Sequence, residues 1–314
     1  MLFYNKSNYM NNLSICILAL NEERNIKALL ESVKDLSDDI VIVIDDQTTD
    51  HTANIAKTYT DKVIIRAHDD NFHKNKQYTL EQAKYDWVLW MDGDETIELE
   101  LAREIKQVLE NPQFEAYKIP RKNMMFGRWI EHTGWYPDYQ IRLFQKSKTR
   151  FPCKRIHEDP QIDEGDEEIG LLKNHLIHQN YNSISHFLEK LNKYTSNDAL
   201  YYQKEKKLSD KDLVIKPMEE FCKRLLMWKG YKDGSYGLML SQLQAIYELV
   251  VMAKIQELNQ FDSATKQLDP KLVNKWMKEA FRIWRWWYFE DKIRKSNNPL
   301  EIIILKLKRK LNYF

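Results

Sequence analysis

Three short apolar runs of the sequence end in acidic or amide side chains: Leu20-Asn21-Glu22, Ile44-Asp45-Asp46 and Met91-Asp92-Gly93-Asp94. Carboxylates that converge repel one another unless a cation lies near them. Asp92 and Asp94 are separated by one glycine, so they can place oxygens around one hard divalent ion and leave positions for phosphate oxygens. An isolated Asp-Gly-Asp sequence is more often a polar turn. Three apolar runs that all end in acidic or amide side chains instead favour a site for a metal and phosphates.

Phosphate binding by bare backbone has no support in the sequence. No Gly-x-Gly-x-x-Gly follows the first apolar run, no Gly-x-x-x-x-Gly-Lys-Ser/Thr loop is present, and the chain has only eight glycines. A dinucleotide fold and a P-loop are therefore not predicted. If phosphates bind, a metal ion and basic side chains must hold them.

The acid-tipped runs alternate with segments whose apolar residues recur at helical spacing. The pattern predicts strands at 13–20, 40–44, 62–66 and 87–91, and helices at 26–36, 52–59, 74–84 and 99–110. We expect Asn21 and Asp50 to cap the first two helices. The alternation predicts an α/β fold with a mostly parallel, doubly wound sheet. Ligands bind at the carboxyl ends of the strands in such sheets, which is where the acids lie.

The pattern changes twice along the rest of the chain. Residues 115–180 have shorter apolar runs and turn signals at Gly134 and Pro137, which predict irregular β structure that completes the sheet. From Ser183 onward the pattern is helical, with breaks near 209–217, 230–237, 269–270 and 297–299. We therefore predict an α/β domain over residues 1–180 that carries the site, and a helical region over residues 181–314.

Composition places the chain among soluble globular proteins. Its 314 residues carry a net charge of +1, and 43% are hydrophobic, which excludes wholesale disorder. We find no run of roughly 18–20 apolar residues and no signal peptide, and so predict neither a membrane span nor secretion. Three widely spaced cysteines predict no disulfide framework and no zinc site. We expect a cytoplasmic protein.

The last 44 residues differ from the rest in charge. Residues 271–314 contain twelve basic and four acidic side chains, a net charge of +8, whereas the preceding residues have a net charge of −7. Seven aromatic residues lie between Trp276 and Phe289, and an apolar and basic helix is predicted at 300–311. Such a segment fits an anionic membrane surface. The alternatives are aromatic packing on the rest of the protein, self-association, or a nucleic-acid-binding tail.

Several motifs together resemble family 2 glycosyltransferases, enzymes of the GT-A fold that use a nucleotide-sugar and Mg or Mn at an Asp-x-Asp motif. The first two are Val41–Asp50 and Trp87–Glu95. The stretches KIPRKN, GRWI, GWYPD, QIRLF and IHE, which start at residues 118, 127, 134, 140 and 156, resemble the bacterial branch that includes lipopolysaccharide-core β-1,4-glucosyltransferases. The resemblance covers about residues 12–260.

The resemblance implies roles for several residues. Leu20, Asn21 and Glu22 would line the nucleotide pocket, and Asp45 would hold the uracil or ribose. Lys76 would lie near the base or phosphates. Asp92 would face the ribose and metal, and Asp94 would ligate the metal. Arg142 is a candidate for neutralising the leaving diphosphate, or for a structural ion pair.

Inverting transfer needs a general base for the acceptor hydroxyl, and a carboxylate is the expected group. Glu158 and Asp138 are the two candidates, with Glu158 slightly favoured because His157 beside it could ligate the metal or contact a phosphate. Structural roles compete with both assignments: Asp138 could pair with Arg142, and Glu158 could cap a turn at Pro160.

The sequence therefore predicts a metal-dependent inverting glycosyltransferase that moves a hexose, with glucose from UDP-glucose preferred, to a membrane-attached glycan or glycolipid. We expect it to be peripheral on the inner face of the cytoplasmic membrane and not to bind nucleic acid. The alternatives are a non-catalytic nucleic-acid- or phosphate-binding protein and a receiver-like phosphotransfer domain. The net negative charge of residues 1–270 argues against the nucleic-acid-binding protein. The receiver-like domain would not need the roughly 130 further helical residues. The sequence predicts no oligomeric state.

Overall fold

The computed structural model of the chain describes residues 12–69, 72–152, 160–163, 169–205, 209–261 and 267–311. It divides into two compact units. The first comprises residues 1–125 and 137–180, and the second comprises residues 126–136 and 181–314. We call them the sheet unit and the helical unit.

Four parallel strands form the first half of the sheet unit. They are β1 (Leu13–Ala19), β2 (Asp39–Asp45), β3 (Val63–Arg66) and β4 (Trp87–Asp92), in the spatial order β3-β2-β1-β4. All seven residues of β2 are buried, as is typical of a strand that is covered on both faces. Because the four strands are parallel, their carboxyl ends lie at one edge of the sheet.

Three helices connect these strands as the sequence predicts: α1 (Ile26–Val33), α2 (Thr52–Ala56) and α3 (Phe72–Glu81). A fourth predicted helix, α4 (Leu99–Glu110), follows β4 along the chain. In α1 every buried residue recurs at helical spacing, at Ile26, Leu29, Leu30 and Val33, and belongs to the core on one side of the sheet. Asn21 does not cap this helix, contrary to the sequence expectation. It has a left-handed φ of 56°, and α1 begins only at Ile26.

The second half of the sheet contains antiparallel strand pairs. The longer strands here are β5 (Glu95–Ile97), β6 (Ala116–Met125), β8 (Asp138–Gln145) and β12 (Leu176–Tyr181), and the sheet continues from β4 in the order β8-β6-β12-β5. Short strands occur at β7 (Arg128–Trp129), β9 (Thr149–Arg150), β10 (Gln161–Ile162) and β11 (Ile169–Leu171). The predicted α/β, GT-A-like class is confirmed: a sheet with a parallel, doubly wound first half is followed by a helical C-terminal region.

The helical unit contains five longer helices among the described residues: α5 (Ile184–Glu205), α6 (Asp212–Cys222), α7 (Gly234–Leu258), α8 (Pro270–Lys295) and α9 (Pro299–Lys310). Both α8 and α9 start with a proline in the first turn, after Asp269 and Asn298, whose side chains accept backbone N–H bonds. Pro217 lies inside α6 and does not separate two helices, so the break predicted at 209–217 is too long. Burial of Ile215 and Cys222 on the same helix offsets the hydrogen bond that the proline removes.

Residues 230–258, which are α7 and the turn before it, form the one described helical segment that is long and apolar enough to cross a membrane by length and composition. Two of its polar side chains have partners on α5. The Tyr247 hydroxyl donates to Asp198 at 2.6 Å, and Lys254 Nζ donates to Asn192 Oδ1 at 2.7 Å. These bonds to α5 are those of a helix packed within a bundle.

Candidate active site

Two of the acid-tipped strand ends are in contact at the edge of the sheet. Strand β4 ends at Asp92, Gly93 and Asp94 form the turn, and β5 begins at Glu95. A Cβ added to Gly93 would lie 2.6 Å from Glu22 Cγ and 3.3 Å from Ala19 Cβ. The turn between the two aspartates therefore needs a glycine because the end of β1 packs directly against it.

Two basic side chains contact the carboxylate of Asp92. Its Oδ2 accepts a hydrogen bond from Arg142 Nη2 at 2.5 Å, and its Oδ1 lies 3.6 Å from Lys76 Nζ. The Trp90 indole also donates to Oδ1, at 3.3 Å. Burial would raise the pKa of Asp92, but Arg142 and Lys76 outweigh it and hold that pKa far below its usual value. Burial lowers the pKa of Lys76, although Asp92 opposes the shift.

Glu95 connects the strand end to two arginines. It is fully buried, accepts a hydrogen bond from Arg142 Nη2 at 2.8 Å, and lies 3.5 Å from Arg121 Nη1. Its other oxygen accepts the backbone N–H of Asp92 at 3.0 Å. Burial alone would lower the pKa of Arg142, but Asp92 and Glu95 raise it above its usual value. The sequence alone did not predict a role for Glu95.

The register of β6 and β8 explains why these charges meet. Arg121 lies opposite Asp138, and the two strands run antiparallel. Successive side chains on a strand point to opposite faces, so the polar residues two apart share one face. They are Arg121 and Asn123 on β6, and Asp138, Gln140 and Arg142 on β8. This alternation is visible in the sequence and could have identified Arg121 and Asn123.

Asp138 accepts hydrogen bonds from three neighbouring side chains. Arg121 donates twice to Oδ2, at 2.7 and 3.0 Å, and Asn123 Nδ2 donates to the same oxygen at 3.1 Å. Gln140 donates to Oδ1 at 2.9 Å. Burial would raise the pKa of Asp138, but Arg121 and the two amides lower it below its usual value.

The alternative pairing of Asp138 with Arg142 is wrong. Four residues along a strand separate two side chains by about 13 Å, which an ion pair cannot span. Arg121, on the neighbouring strand, is the partner of Asp138, whereas Arg142 pairs with Asp92 and Glu95. Pairing across strands is thus favoured over pairing along one.

His178 lies beside Asp94 and is oriented by Asn123. His178 Nε2 is 3.4 Å from Asp94 Oδ2, and its Nδ1 is 2.7 Å from Asn123 Oδ1. Because Asn123 Nδ2 donates to Asp138, its Oδ1 must accept, which assigns a proton to His178 Nδ1. The other ring nitrogen, Nε2, then faces Asp94. The spacing of His175 and His178 in the sequence did not reveal this, since the partner is remote in sequence.

The loops after β1 and β2 are joined by hydrogen bonds. Asn21 Oδ1 accepts the Thr49 N–H at 2.9 Å, and the Glu22 N–H donates to Thr52 Oγ1 at 2.7 Å. Asp45 Oδ2 lies 2.7 Å from His68 Nδ1, and Asp45 Oδ1 accepts the Gln47 N–H at 3.0 Å. Leu20 is partly exposed at the end of β1.

The structure thus clusters Lys76, Asp92 and Arg142, with Asp94 in the turn beside them and Glu22 packed on Gly93. It adds Glu95, Arg121, Asn123 and His178, for which the sequence reading proposed no role. Glu158 and His157 lie outside the described residues. Among the residues that the structure does describe, no group of three or more His, Cys, Asp or Glu side chains is arranged to hold a metal ion.

Comparison with known proteins defines the class. Residues 14–159 match the family model for glycosyl transferase family 2. An uncharacterized glycosyltransferase from Rickettsia typhi is 29% identical over 262 residues, which cover 80% of this chain and 88% of the relative. The glycosyltransferase SunS of Bacillus subtilis is 30% identical over 150 residues, 46% of this chain and 33% of SunS. The class these relatives share is that of a glycosyltransferase, and the match to the family 2 model spans just under half of the chain.

Among solved structures, S. aureus TarS 1–349 in complex with UDP-GlcNAc aligns with a TM-score of 0.42 and 16% identity, over 78% of this chain and 84% of that one. Glucosyl-3-phosphoglycerate synthase from Mycobacterium tuberculosis, in complex with Mn²⁺, UDP and glucosyl-3-phosphoglycerate, aligns with a TM-score of 0.32 and 16% identity, over 38% of this chain and 50% of that one.

Proposed function

We propose that this protein is a metal-dependent, inverting glycosyltransferase that moves a hexose from a UDP-sugar to a membrane-attached glycan or a lipid-linked acceptor such as a lipopolysaccharide core. UDP-glucose is the donor that the sequence motifs favour. The observation that carries the proposal is the Asp94–His178 pair beside the charge-balanced cluster around Asp92, at the carboxyl edge of a family 2 domain.

The charge balance supports a cation at this edge. The carboxylates of Asp92, Glu95 and Asp138 are matched by three basic side chains, those of Lys76, Arg121 and Arg142. This cluster of described residues therefore has no surplus positive charge for a nucleoside diphosphate, and Asp94 adds a further negative charge. A diphosphate would be repelled unless it brought a divalent cation.

The residues beside the turn fit Mg or Mn. Asp94 supplies a carboxylate oxygen, and His178 supplies an imidazole nitrogen whose other nitrogen donates to Asn123, the arrangement usual for a ligating histidine. When bound, the cation would neutralise the diphosphate and stabilise it as the leaving group. Asp92, whose oxygens already have basic partners, is expected to accept ribose hydroxyl groups with its remaining lone pairs.

We assign the general base to Glu158 and a positioning role to Asp138. The base takes the proton of the acceptor hydroxyl while the hydroxyl oxygen bonds to the anomeric carbon and UDP leaves. Four donated hydrogen bonds and a lowered pKa make Asp138 a weak proton acceptor. Its contacts suit the orientation of Arg121 and Asn123 instead.

The acceptor class follows from the motif resemblance and from the C-terminal charge. A glycan attached to lipid would be met at the inner face of the cytoplasmic membrane, and we propose that the protein is peripheral there. Residues 271–314, with a net charge of +8, are the part of the chain that suits an anionic surface.

A donor screen tests the proposed activity. The full-length protein should release UDP from a UDP-hexose in the presence of Mg or Mn, and EDTA should stop the release. UDP-glucose, UDP-galactose and UDP-GlcNAc are compared side by side. Asp94→Asn should lower the rate at least about 100-fold because the diphosphate loses its counter-charge. Asp61→Asn, at an exposed residue before β3, is the matched control. Near-normal turnover of folded Asp94→Asn, with EDTA harmless, would reject the metal-dependent mechanism.

The base assignment has its own test. Glu158→Gln should lower turnover about 10²–10⁴-fold while UDP-sugar binding, measured by calorimetry, is retained. Asp138→Asn should weaken donor binding and stability together, since Arg121 loses its partner. If Asp138→Asn loses only turnover and Glu158→Gln loses nothing, the two roles are exchanged.

The ligand role of His178 is tested by metal affinity. His178→Ala should weaken Mn²⁺ binding at least about 10-fold, and Asn123→Ala should weaken it to a smaller extent. His175→Ala is the matched control, because His175 lies 3.4 Å from Glu98 and not at Asp94. Equal effects of His175→Ala and His178→Ala would contradict the assignment.

A further inference from the structure

The last described helix, α9, carries an apolar stripe on its exposed side. Leu300, Ile303, Ile304 and Leu307 are between 51% and 72% exposed, and Leu311, directly after the helix, is 47% exposed. Positions at this spacing fall within roughly 100° of the helix circumference, so they form one continuous face. A contiguous exposed apolar face of this kind marks an interaction surface.

The opposite side of α9 attaches it to α8. Leu305 is buried, and Arg309 pairs with Glu290 and lies over the Trp286 ring at 5.1 Å. Arg285 Nη2 donates to the Lys308 carbonyl at 2.9 Å. The helix is therefore held by α8 with its apolar stripe facing away from that contact.

Exposed lysines border the stripe on both sides. At 100° per residue, Lys308 lies about 80° to one side of the stripe centre, and Lys306 and Lys310 lie on the other. Long basic side chains at such positions can lay their methylene stems along an apolar surface while the ammonium groups reach phosphate headgroups.

We infer that α9 lies in the headgroup region of an anionic membrane, with its stripe toward the acyl chains and its lysines at the lipid phosphates. Charge decides between this occupant and a second copy of the chain. A symmetric dimer through the stripe would bring the same three lysines together, whereas an anionic bilayer supplies the opposite charge. The net charge of +8 over residues 271–314 favours the bilayer.

This inference assigns the contact with lipid to α9, whereas the sequence pattern predicted it for the aromatic cluster of α8 as well. Trp284 stacks on Phe221 of α6, with ring centroids 6.0 Å apart and an interplanar angle of 19°. Trp286 contacts Trp287 and Arg309. Trp284 thus packs within the helical unit, whereas Phe281, Trp286 and Tyr288 remain 40–45% exposed.

Vesicle co-sedimentation of the full-length protein tests the surface. It should bind vesicles of phosphatidylcholine mixed with phosphatidylglycerol at low salt, and should bind phosphatidylcholine alone weakly. Ile303→Glu with Leu307→Glu should lower binding about 100-fold or more, because the stripe would carry charge into the apolar region. Leu272→Glu, on α8 and 46% exposed, is the matched control and should leave binding unchanged.

A second variant keeps the fold intact and tests the charge. Each lysine near an anionic surface contributes about fivefold to binding, so K306Q, K308Q and K310Q together should lower it about 100-fold and reduce its salt dependence. Unchanged binding of this variant would overturn the role of the lysines.

Three other outcomes would overturn the inference: no vesicle binding by the wild-type chain at low salt, equal losses in the Leu272→Glu control, or a dimer in sedimentation equilibrium that the Ile303→Glu and Leu307→Glu changes dissociate. The inference rests on the proposed membrane location. Vesicle binding does not require sugar transfer, so its failure would remove that location and leave the proposed sugar transfer standing, and failure of the donor screen would leave the vesicle result standing.

Discussion

The two units differ in which side chains they bury: the sheet unit buries charged side chains at its strand edge, and α9 of the helical unit exposes apolar ones. In the sheet unit, Glu95 is fully buried and Arg142 is 5% exposed, while the apolar residues of β1 and β2 are covered. In α9 of the helical unit, the charged side chains are mostly exposed and so are Leu300, Ile303 and Leu307. Each arrangement is costly in isolation, because a buried charge loses hydration and an exposed leucine orders water.

The difference separates two kinds of functional surface. Buried, paired charges at a strand edge form a preorganised polar site for a charged ligand. Exposed apolar residues bordered by lysines form a surface that is complete only against another phase or molecule. Substitutions in the sheet unit should therefore change stability and chemistry together, whereas substitutions on α9 should change association alone.

The largest expected effect lies at Glu95. Glu95→Gln removes the buried carboxylate that the buried Arg142 and the partly buried Arg121 share, and should lower the free energy of unfolding by about 3–5 kcal/mol. Glu115→Gln is the control, because Glu115 pairs with Lys148 at a partly exposed position and should cost at most about 1 kcal/mol. Urea denaturation measures both. Equal decreases in the free energy of unfolding would show that the buried ion pairs stabilise the protein no more than the partly exposed pair does.

Leucine truncation compares the two units directly. Leu143→Ala, at a fully buried position of β8, should destabilise the protein by about 3 kcal/mol because it leaves a cavity. Leu307→Ala, at a residue 55% exposed on α9, should cost less than about 0.5 kcal/mol. A large loss for Leu307→Ala in the absence of lipid would mean that the stripe is covered by protein.

Acid stability should depend on Asp39, a buried carboxylate at the start of β2. Burial would raise its pKa, but hydrogen bonds from Lys62, Ser14 and the Lys84 N–H lower it below its usual value. A lowered folded pKa contributes stability that is present above the unfolded pKa of about 3.9 and is lost as the pH falls through the folded value.

Asp39→Asn should therefore cost about 2 kcal/mol at pH 7 and flatten the loss of stability below about pH 4. The measurement is urea denaturation across pH 3–7, with Asp61→Asn as the exposed control. An unchanged pH profile would show that the Asp39 hydrogen bonds contribute equally in both protonation states.

The smallest effect is expected for an exposed pair on α6. Lys216 Nζ lies 3.2 Å from Glu219, with both side chains about half exposed. Lys216→Gln should change the free energy of unfolding by less than about 0.5 kcal/mol, since solvent screens the pair. A loss comparable to that of Glu95→Gln would remove the contrast between the buried and exposed ion pairs.

The order of the first seven elements, β1 to β4 with α1 to α3 between them, could be predicted from the apolar patterns of the sequence, whereas the short strand β5 was missed. The helix over Leu99–Glu110 was predicted with its observed bounds. Pro217 shows where local rules fail: a proline signals a break, but burial on both sides of it kept the helix continuous. Asn21 fails likewise, because its side chain binds Thr49 rather than a helix N-terminus.

Asp92, Asp94, Lys76 and Arg142 were selected as site candidates from the sequence, since acids at strand ends and motif resemblance are local signals. Their partners are not local. Glu95 meets Arg121 and Arg142, and Asp94 meets His178 more than eighty residues away, only because antiparallel strands bring those faces together. The sequence by itself determined the class of fold and the acidic turn. Tertiary structure decided which charges neutralise each other and which side of α9 remains exposed, because pairing and burial depend on register and packing between segments that are distant in the chain.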